Sequence, residues 1–148
     1  MVIAVDFDGT IVEHKYPAIG RELPFATETL RMLIRDRHKL ILWSVREGRL
    51  LDEAVEWCRG TRRGVLRRER DYPEESREHD SFSRKLKADL FIDDRNIGGL
   101  PDWGTIYQMV RDRSTWEEVL EQRNSSFEKT EARSARRNGA SFKLPTML

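Results

Sequence analysis

Three short runs of apolar residues constrain the fold of this chain more than any other feature. They span Val2–Val5, Leu40–Trp43 and Leu90–Ile92, and each run is nearly continuous rather than alternating with polar residues. Continuous apolar runs of this length are typical of strands that are buried on both faces of a parallel sheet. We therefore expect these three segments to be neighbouring strands of one parallel sheet.

Helical patterns lie between the predicted strands. After Pro24, which a first helical turn tolerates, apolar residues recur at helical spacing up to about His38. A second helical pattern runs from about Arg49 to Arg59. Because strands alternate with helices, the sequence predicts an α/β fold with right-handed crossovers between parallel strands.

The last part of the chain is predicted to be mostly helical and then loosely packed. Apolar residues from Trp103 to Val110 indicate one further element. The segment Ser114–Glu117 matches a capping box, which predicts a last helix through about Arg123. From residue 125 to residue 148 apolar residues are sparse and basic residues outnumber acidic ones. We expect one domain over residues 1–124 and a disordered or loosely packed tail over 125–148.

Two charged blocks separate the second helix from the third strand. Six arginines fall between Arg59 and Arg70, and the block from Asp71 to Asp80 is mainly acidic. An alternating α/β pattern would place one more strand in this interval, and Val65-Leu66 are the apolar residues that could form it. Blocks of like charge most often form solvated loops, which is the favoured interpretation of both blocks.

Length, charge and cysteine content exclude several classes of protein. A chain of 148 residues is enough for one domain with a hydrophobic core. The net charge of +1 argues against a dedicated nucleic-acid or membrane-surface binder. Cys58 is the single cysteine, which excludes an intramolecular disulfide and favours a reducing compartment. Because no apolar run is long enough for a signal peptide or a membrane span, we expect a soluble, cytoplasmic protein.

Polar residues follow each apolar run directly. Asp6, Asp8 and Thr10 come after the first run, Ser44 comes after the second, and Asp93-Asp94 comes after the third. In an open parallel sheet the carboxyl ends of the strands share one edge, and ligands bind in the crevice outside that edge. We therefore expect these side chains to converge.

Several carboxylates at one place imply a bound cation, because like charges a few ångströms apart repel each other. Oxygen ligands favour a hard ion, with Mg²⁺ before Ca²⁺ or Mn²⁺. Mg²⁺ usually completes its coordination with waters and phosphate oxygens, so a phosphate-bearing substrate is expected. Lys85 lies eight residues before Asp93 and is close enough in sequence to bring a positive charge to the same pocket.

These residues resemble the haloacid dehalogenase-like (HAD) superfamily of aspartate-nucleophile phosphohydrolases, over roughly residues 1–112. The four motifs of the superfamily are matched in order by Asp6–Thr10, Ser44, Lys85 and Asp93-Asp94, with Lys87 as the competing match for the third motif. The resemblance implies a three-layer, Rossmann-like parallel sheet flanked by helices. The segments Trp43–Gly48 and Phe91–Asn96 resemble a group of small bacterial members more closely still. The intervals between the motifs are too short for a large cap domain, so the capless class is implied.

The resemblance also implies a role for each motif residue. Asp6 would be the nucleophile that forms an aspartyl-phosphate, and Asp8 would protonate the leaving oxygen and later deprotonate the attacking water. Thr10 and Ser44 would donate hydrogen bonds to phosphoryl oxygens, and Lys85 would balance charge. Mg²⁺ would be held by Asp6, the backbone carbonyl of Asp8, and Asp93 and Asp94, with Asp94 favoured over Asp93 as the direct ligand.

Residues next to the motifs are candidate substrate contacts. The segment Glu13–Gly20 is expected to overhang the pocket, and it carries His14, Lys15 and Tyr16. Arg46 and Arg95 stand beside motif residues, where they could bind further anionic groups or form ion pairs with Glu47 or other nearby carboxylates.

The predicted function is that of a Mg²⁺-dependent phosphatase for a phosphorylated small molecule or an exposed phosphate on a larger substrate. The alternative is a HAD-like binding or regulatory module with little turnover, suggested by the poor strand sequence at Thr61–Arg70. Nucleic acid is a disfavoured partner, because neither the arginine block nor the basic tail has interleaved aromatic residues for base stacking. The sequence leaves the oligomeric state open.

Overall fold

The computed structural model describes residues 1–60, 67–68 and 86–139, and the side chains of residues 1–60 and 86–134. Its elements in chain order are β1 (Val2–Val5), α1 (Ala26–Arg35), β2 (Lys39–Leu42), α2 (Gly48–Gly60), β3 (Arg67–Arg68), β4 (Leu90–Ile92), α3 (Trp103–Asp112) and α4 (Trp116–Gly139). The chain divides into two compact units, Met1–Tyr107 and Gln108–Leu148. This boundary falls before the domain boundary at residue 124 that the sequence suggests.

A parallel sheet organises the first unit. Its described strands lie in the order β3-β2-β1-β4, and each neighbouring pair is parallel. Val5 at the end of β1 is aligned with Leu42 of β2 on one side and with Ile92 of β4 on the other. The predicted α/β fold with a parallel sheet is therefore confirmed, and the second strand begins and ends one residue earlier than its apolar run.

The strand β3 differs from the sequence prediction. The backbone of Arg67–Arg68 pairs with Ile41 and Leu42. These two arginines come directly after Val65-Leu66, inside the block for which the sequence predicts a solvated loop. The hydrogen bonds that pair two strands are made by backbone groups, so residues that are not apolar can form this contact.

The core of the first unit forms where the apolar runs meet the helices. The last three residues of β1 and of β2 are buried, which agrees with strands covered on both faces. Helix α1 buries Leu30 and Leu33, and helix α2 buries Val55 and Cys58.

Among residues 1–60 and 86–139, no helix combines the length and the apolar composition that crossing a membrane requires.

In the second unit, α4 begins one residue later than predicted and ends much later. Thr115, not Ser114, closes the capping box: its hydroxyl accepts from the Glu118 amide at 3.2 Å, and the Glu118 carboxylate accepts from the Thr115 amide at 2.8 Å. The helix then continues to Gly139 rather than to about Arg123. Its side chains are exposed from residue 120 to residue 134. This part of the sequence has too few apolar residues to form a continuous apolar face, but the backbone hydrogen bonds of the helix do not need one.

Candidate functional site

The carboxyl ends of β1, β2 and β4 bring the predicted site residues to one edge of the sheet. The amide of Asp6 donates to the carbonyl of Ile92 at 2.9 Å, and the amide of Trp43 donates to the carbonyl of Val5 at 2.8 Å. These bonds continue the sheet register for one residue beyond the strands. Asp6, Ser44 and Asp93 therefore leave the sheet on the same edge.

Three carboxylates form a cluster at this edge. One carboxylate oxygen from each of Asp6, Asp93 and Asp94 lies within 4.8 Å of the other two, and all three residues are half-buried. The Oδ1 atom of Asp94 is buried and has no hydrogen-bond partner. A buried carboxylate oxygen without a partner is costly. The cluster therefore has both the negative charge and the vacant acceptor that a cation would satisfy.

The electrostatic surroundings of Asp6 disfavour its charged form. The pKa of Asp6 is raised from its ordinary value of 3.8 to about 6, mainly by burial and to a smaller extent by the charges of Asp93 and Asp94. Hydrogen bonds from the backbone of Phe7 and from the hydroxyl of Thr10 act in the opposite direction. A cation at the cluster would favour the ionised form that a nucleophilic carboxylate needs.

Thr10 connects the first motif to the fourth. Its hydroxyl donates to Oδ2 of Asp6 at 3.0 Å and accepts from the amide of Asp94 at 3.0 Å. Its carbonyl accepts from the indole of Trp103 at 3.0 Å, and the residue is fully buried. In this arrangement the single hydroxyl proton of Thr10 is directed to Asp6 and not to a bound phosphate.

Gly9 permits the close approach of the first and fourth motifs. Its φ is +90°, and a Cβ atom built on it would lie 2.2 Å from Oδ2 of Asp94. Glycine adopts this backbone conformation without steric cost and leaves the space that the Asp94 carboxylate occupies.

Asp8 faces Arg46 and is not part of the three-carboxylate cluster. Both of its oxygens accept hydrogen bonds from Arg46, Oδ2 from Nε and Oδ1 from Nη2, each at 2.6 Å. The side chains of Asp8 and Arg46 are 4% and 0% exposed. The predicted general acid is thus held in a buried, bidentate ion pair.

The contacts of Arg46 are a part of the candidate site that the sequence does not specify. Of the two roles considered for Arg46, the ion pair is the one observed, and the partner is Asp8 rather than Glu47. The hydrogen bond to Asp8 also raises the pKa of Arg46. The signal was present in the spacing: Asp8 and Arg46 each follow the end of one of two adjacent parallel strands, by three and four residues.

The remaining predicted residues occupy varied positions. Ser44 is half-buried, and its hydroxyl oxygen accepts from the amide of Arg46 at 3.2 Å, which leaves the hydroxyl proton for another acceptor. Lys85 lies outside the described residues, and Lys87 is exposed. The amide of Arg95 donates to Oδ1 of Asp93 at 2.8 Å.

The candidate substrate contacts of the segment Glu13–Gly20 are exposed. His14 and Lys15 face solvent, and Lys15 pairs with Glu13 at 3.4 Å. Tyr16 is 49% exposed, and its ring centroid lies 5.4 Å from the guanidinium carbon of Arg46. Tyr16 thus contacts the residue that holds Asp8.

Comparison with known proteins gives one informative match. No protein-family model matches the sequence, and no curated protein matches it. A solved structure described as the conserved protein coded by a locus from Bacteroides thetaiotaomicron is similar to this chain, with 62% sequence identity and a TM-score of 0.72. The match covers 80% of this chain and 96% of that chain. The chain therefore belongs to the same family as this conserved Bacteroides thetaiotaomicron protein.

Proposed function

We propose that this protein is a Mg²⁺-dependent phosphohydrolase of the HAD type, acting through an aspartyl-phosphate on Asp6. The observation that carries the proposal is the cluster of Asp6, Asp93 and Asp94 at the carboxyl edge of a parallel sheet. This edge is where open α/β sheets bind their ligands. The order of the motifs along the chain supports the same assignment.

The residues of the cluster fit Mg²⁺. All three donors are carboxylate oxygens, which hard cations prefer, and Oδ1 of Asp94 has no partner in the protein. Asp6 and Asp94 would be direct ligands, and Asp93 would orient them or bind through water. When bound, the ion would offset the negative charge of the phosphoryl oxygens and keep Asp6 ionised.

The proposed reaction has two displacements. An oxygen of Asp6 attacks phosphorus while the bond between phosphorus and the ester oxygen breaks, and that oxygen takes a proton from Asp8. Water then attacks the phosphorus of the acyl-phosphate, gives a proton to Asp8, and releases inorganic phosphate with Asp6 restored. Ser44 would donate its hydroxyl proton to a phosphoryl oxygen, and Lys85 would balance charge.

The finer features of the fold follow from the same proposal. The first unit would be a Rossmann-like, three-layer HAD core without a large cap, working in the cytoplasm. Between Thr10 and Ser44 the described elements are α1 and β2, which leaves the edge without a cap from this interval. A site without a cap from this interval suits a phosphorylated small molecule or an exposed phosphate on a larger substrate.

The test is Mg²⁺-dependent phosphate release from p-nitrophenyl phosphate by the wild-type protein, Asp6→Asn and Asp89→Asn. Asp89 is the matched control, because it accepts from the amide of Val2 at 2.7 Å, at the opposite end of β1. We expect activity in the wild-type protein and in Asp89→Asn, and none above background in Asp6→Asn. Equal activity in the wild-type protein and Asp6→Asn would contradict the proposal.

A second candidate is a binding or regulatory module that holds a phosphate ester without turning it over. The observation in its favour is the ion pair in which both oxygens of Asp8 accept from Arg46, because a binding site needs no general acid. Saturable binding of phosphate esters with Mg²⁺, without phosphate release across a broad substrate panel, would favour this candidate over the phosphatase.

A further inference from the structure

Arg46 joins three parts of the chain around the candidate site. It follows β2, it pairs with Asp8 after β1, and it donates to two carbonyls of the segment Glu13–Gly20. These are the carbonyl of Pro17, which accepts from Nη1 at 3.0 Å, and the carbonyl of Ala18, which accepts from Nη2 at 2.9 Å. Four hydrogen bonds thus join one guanidinium to Asp8, Pro17 and Ala18.

Aromatic rings complete the surroundings of this guanidinium. Its central carbon lies 5.2 Å from the centroid of the Phe7 ring and 5.4 Å from the centroid of the Tyr16 ring. These distances fall within the range of cation–π attraction. Phe7 lies between Asp6 and Asp8 in sequence, and Tyr16 belongs to the segment Glu13–Gly20. The two ring contacts therefore connect Arg46 to the same two parts of the chain as its hydrogen bonds do.

The ion pair limits what Asp8 can do in the proposed reaction. Both of its oxygens accept hydrogen bonds from Arg46, and the carboxylate is almost completely buried. A carboxylate that accepts at both oxygens carries no proton. To protonate a leaving oxygen, Asp8 must first take up a proton from solvent and turn the protonated oxygen away from Arg46. Because Nη2 of Arg46 serves both Oδ1 of Asp8 and the carbonyl of Ala18, a change at Asp8 also changes the support of the segment Glu13–Gly20.

We propose that Arg46 is a positioning residue that sets the orientation of Asp8 for proton transfer and couples it to the segment Glu13–Gly20. The inference rests on the proposed function, since the proton transfer is a step of that reaction. The side chain of Arg46 donates to Asp8 and to the carbonyls of Pro17 and Ala18, so it acts through Asp8. The planar fork of an arginine is required, because a lysine has one nitrogen and cannot reach two carboxylate oxygens and two carbonyls together.

The kinetic test compares two leaving groups in the wild-type protein, Arg46→Lys and Arg21→Lys. Dinitrophenolate leaves without a proton, whereas phenolate needs one. We expect Arg46→Lys to lower kcat/KM, which reports the first displacement, about tenfold or more for phenyl phosphate and distinctly less for dinitrophenyl phosphate. Arg21 is the matched control, since it pairs with Glu13 beside the same segment while its side chain is 82% exposed.

The second test measures hydrogen–deuterium exchange of residues 13–20 in the wild-type protein, Asp8→Asn and Arg46→Lys. This test does not require enzymatic activity. If Arg46→Lys fails to fold, Asp8→Asn remains as a second variant, because asparagine has nearly the same shape as aspartate. Coupling through Arg46 predicts faster exchange of this segment in both variants and not in Arg21→Lys.

The outcomes separate the inference from the proposed function. An equal loss of kcat/KM for both phosphates in Arg46→Lys, a gain for phenyl phosphate, or unchanged exchange of residues 13–20 in Asp8→Asn would overturn the inference. A wild-type protein inactive on both substrates with Mg²⁺ would overturn the proposed function and the proton-transfer role with it. Exchange would still decide whether Arg46 couples Asp8 to the segment.

Discussion

Asp6 and Asp8 are two residues apart in the chain, and their surroundings have opposite charge. Asp6 lies beside Asp93 and Asp94, and burial raises its pKa to about 6. Asp8 lies against the guanidinium of Arg46. The Asp-x-Asp spacing predicts both residues at one edge of the sheet. It does not predict which carboxylate meets carboxylates and which meets a cation, because that depends on loops after other strands.

The raised pKa of Asp6 predicts a pH-dependent effect of Asp6→Asn. Between the ordinary value of 3.8 and about 6, the folded protein binds the Asp6 proton more tightly than the unfolded chain does. The contribution of Asp6 to the free energy of unfolding is therefore fully present at low pH and declines as the pH rises through this window. Without metal, Asp6→Asn should raise Tm relative to the wild-type protein at about pH 7.5 and much less at about pH 4.

Asp89→Asn is the control for this comparison, because Asp89 is exposed at the other end of the sheet. Thermal unfolding followed by circular dichroism measures the effect. A Tm difference between Asp6→Asn and the wild-type protein that is the same at both pH values would contradict the assignment of the raised pKa to Asp6.

Gly9 gives a second prediction for a single position. Alanine at either Gly9 or Gly48 would be strained, since φ is +90° and +52° respectively. At Gly9 the added Cβ would also collide with the Asp94 carboxylate, whereas a Cβ at Gly48 meets no atom within 4 Å. Gly9→Ala should lower the free energy of unfolding by about 1–3 kcal/mol more than Gly48→Ala does, because overpacking adds to backbone strain. Urea unfolding measures both. Equal losses would show that the Asp94 carboxylate moves aside without cost.

Among the elements, those with a strong local pattern are the ones the sequence predicts. Continuous apolar runs predict β1, β2 and β4, because a strand that is buried on both faces consists almost entirely of apolar residues. β3 consists of two arginines that pair through their backbone, so its sequence has no apolar run that would predict a strand. The bidentate pair of Asp8 and Arg46 joins residues 38 positions apart, and only the strand alignment relates them.

The start of α4 shows how two equivalent patterns compete. Ser114 with Glu117, and Thr115 with Glu118, both match the spacing of a capping box, and the second pair forms it. The residue types alone do not choose between adjacent registers. The chain turns after α3 at Arg113, where φ is +53°, and Thr115 is the residue that caps α4.

The capping box predicts a difference between neighbouring alanine substitutions. Thr115→Ala should lower the stability of the first turn of α4 by about 1 kcal/mol, because the amide of Glu118 loses its acceptor. Ser114→Ala, the adjacent control, should have a smaller effect. Amide hydrogen exchange in the first turn of α4 measures the difference, and a larger effect of Ser114→Ala would contradict the observed cap.

For the whole molecule, the proposed metal site links ion binding to the stability of the first unit. The cluster joins the ends of β1 and β4, so a bound ion would offset repulsion between two loops of the fold. An ion that binds the folded chain alone stabilises it by about 2.7 kcal/mol at a concentration 100 times its Kd.

Mg²⁺ should therefore raise Tm in the wild-type protein and in Asp89→Asn, and a chelator should reverse the rise. Asp94→Asn should remove most of the effect, since it replaces the carboxylate whose Oδ1 atom has no partner. Thermal unfolding across a series of Mg²⁺ concentrations tests this linkage. The same rise in Asp94→Asn as in the wild-type protein would place the ion elsewhere.

The central claim is that Asp6 is the nucleophile of a phosphoryl transfer at this cluster. Its most direct test is mass spectrometry of the protein quenched in acid during turnover of an aryl phosphate with Mg²⁺. We expect one added phosphoryl group on the peptide that contains Asp6, absent without Mg²⁺ and absent in Asp6→Asn. Mg²⁺-dependent phosphate release with no phosphoryl group on Asp6 at any quench time, or with the group on another residue, would contradict it.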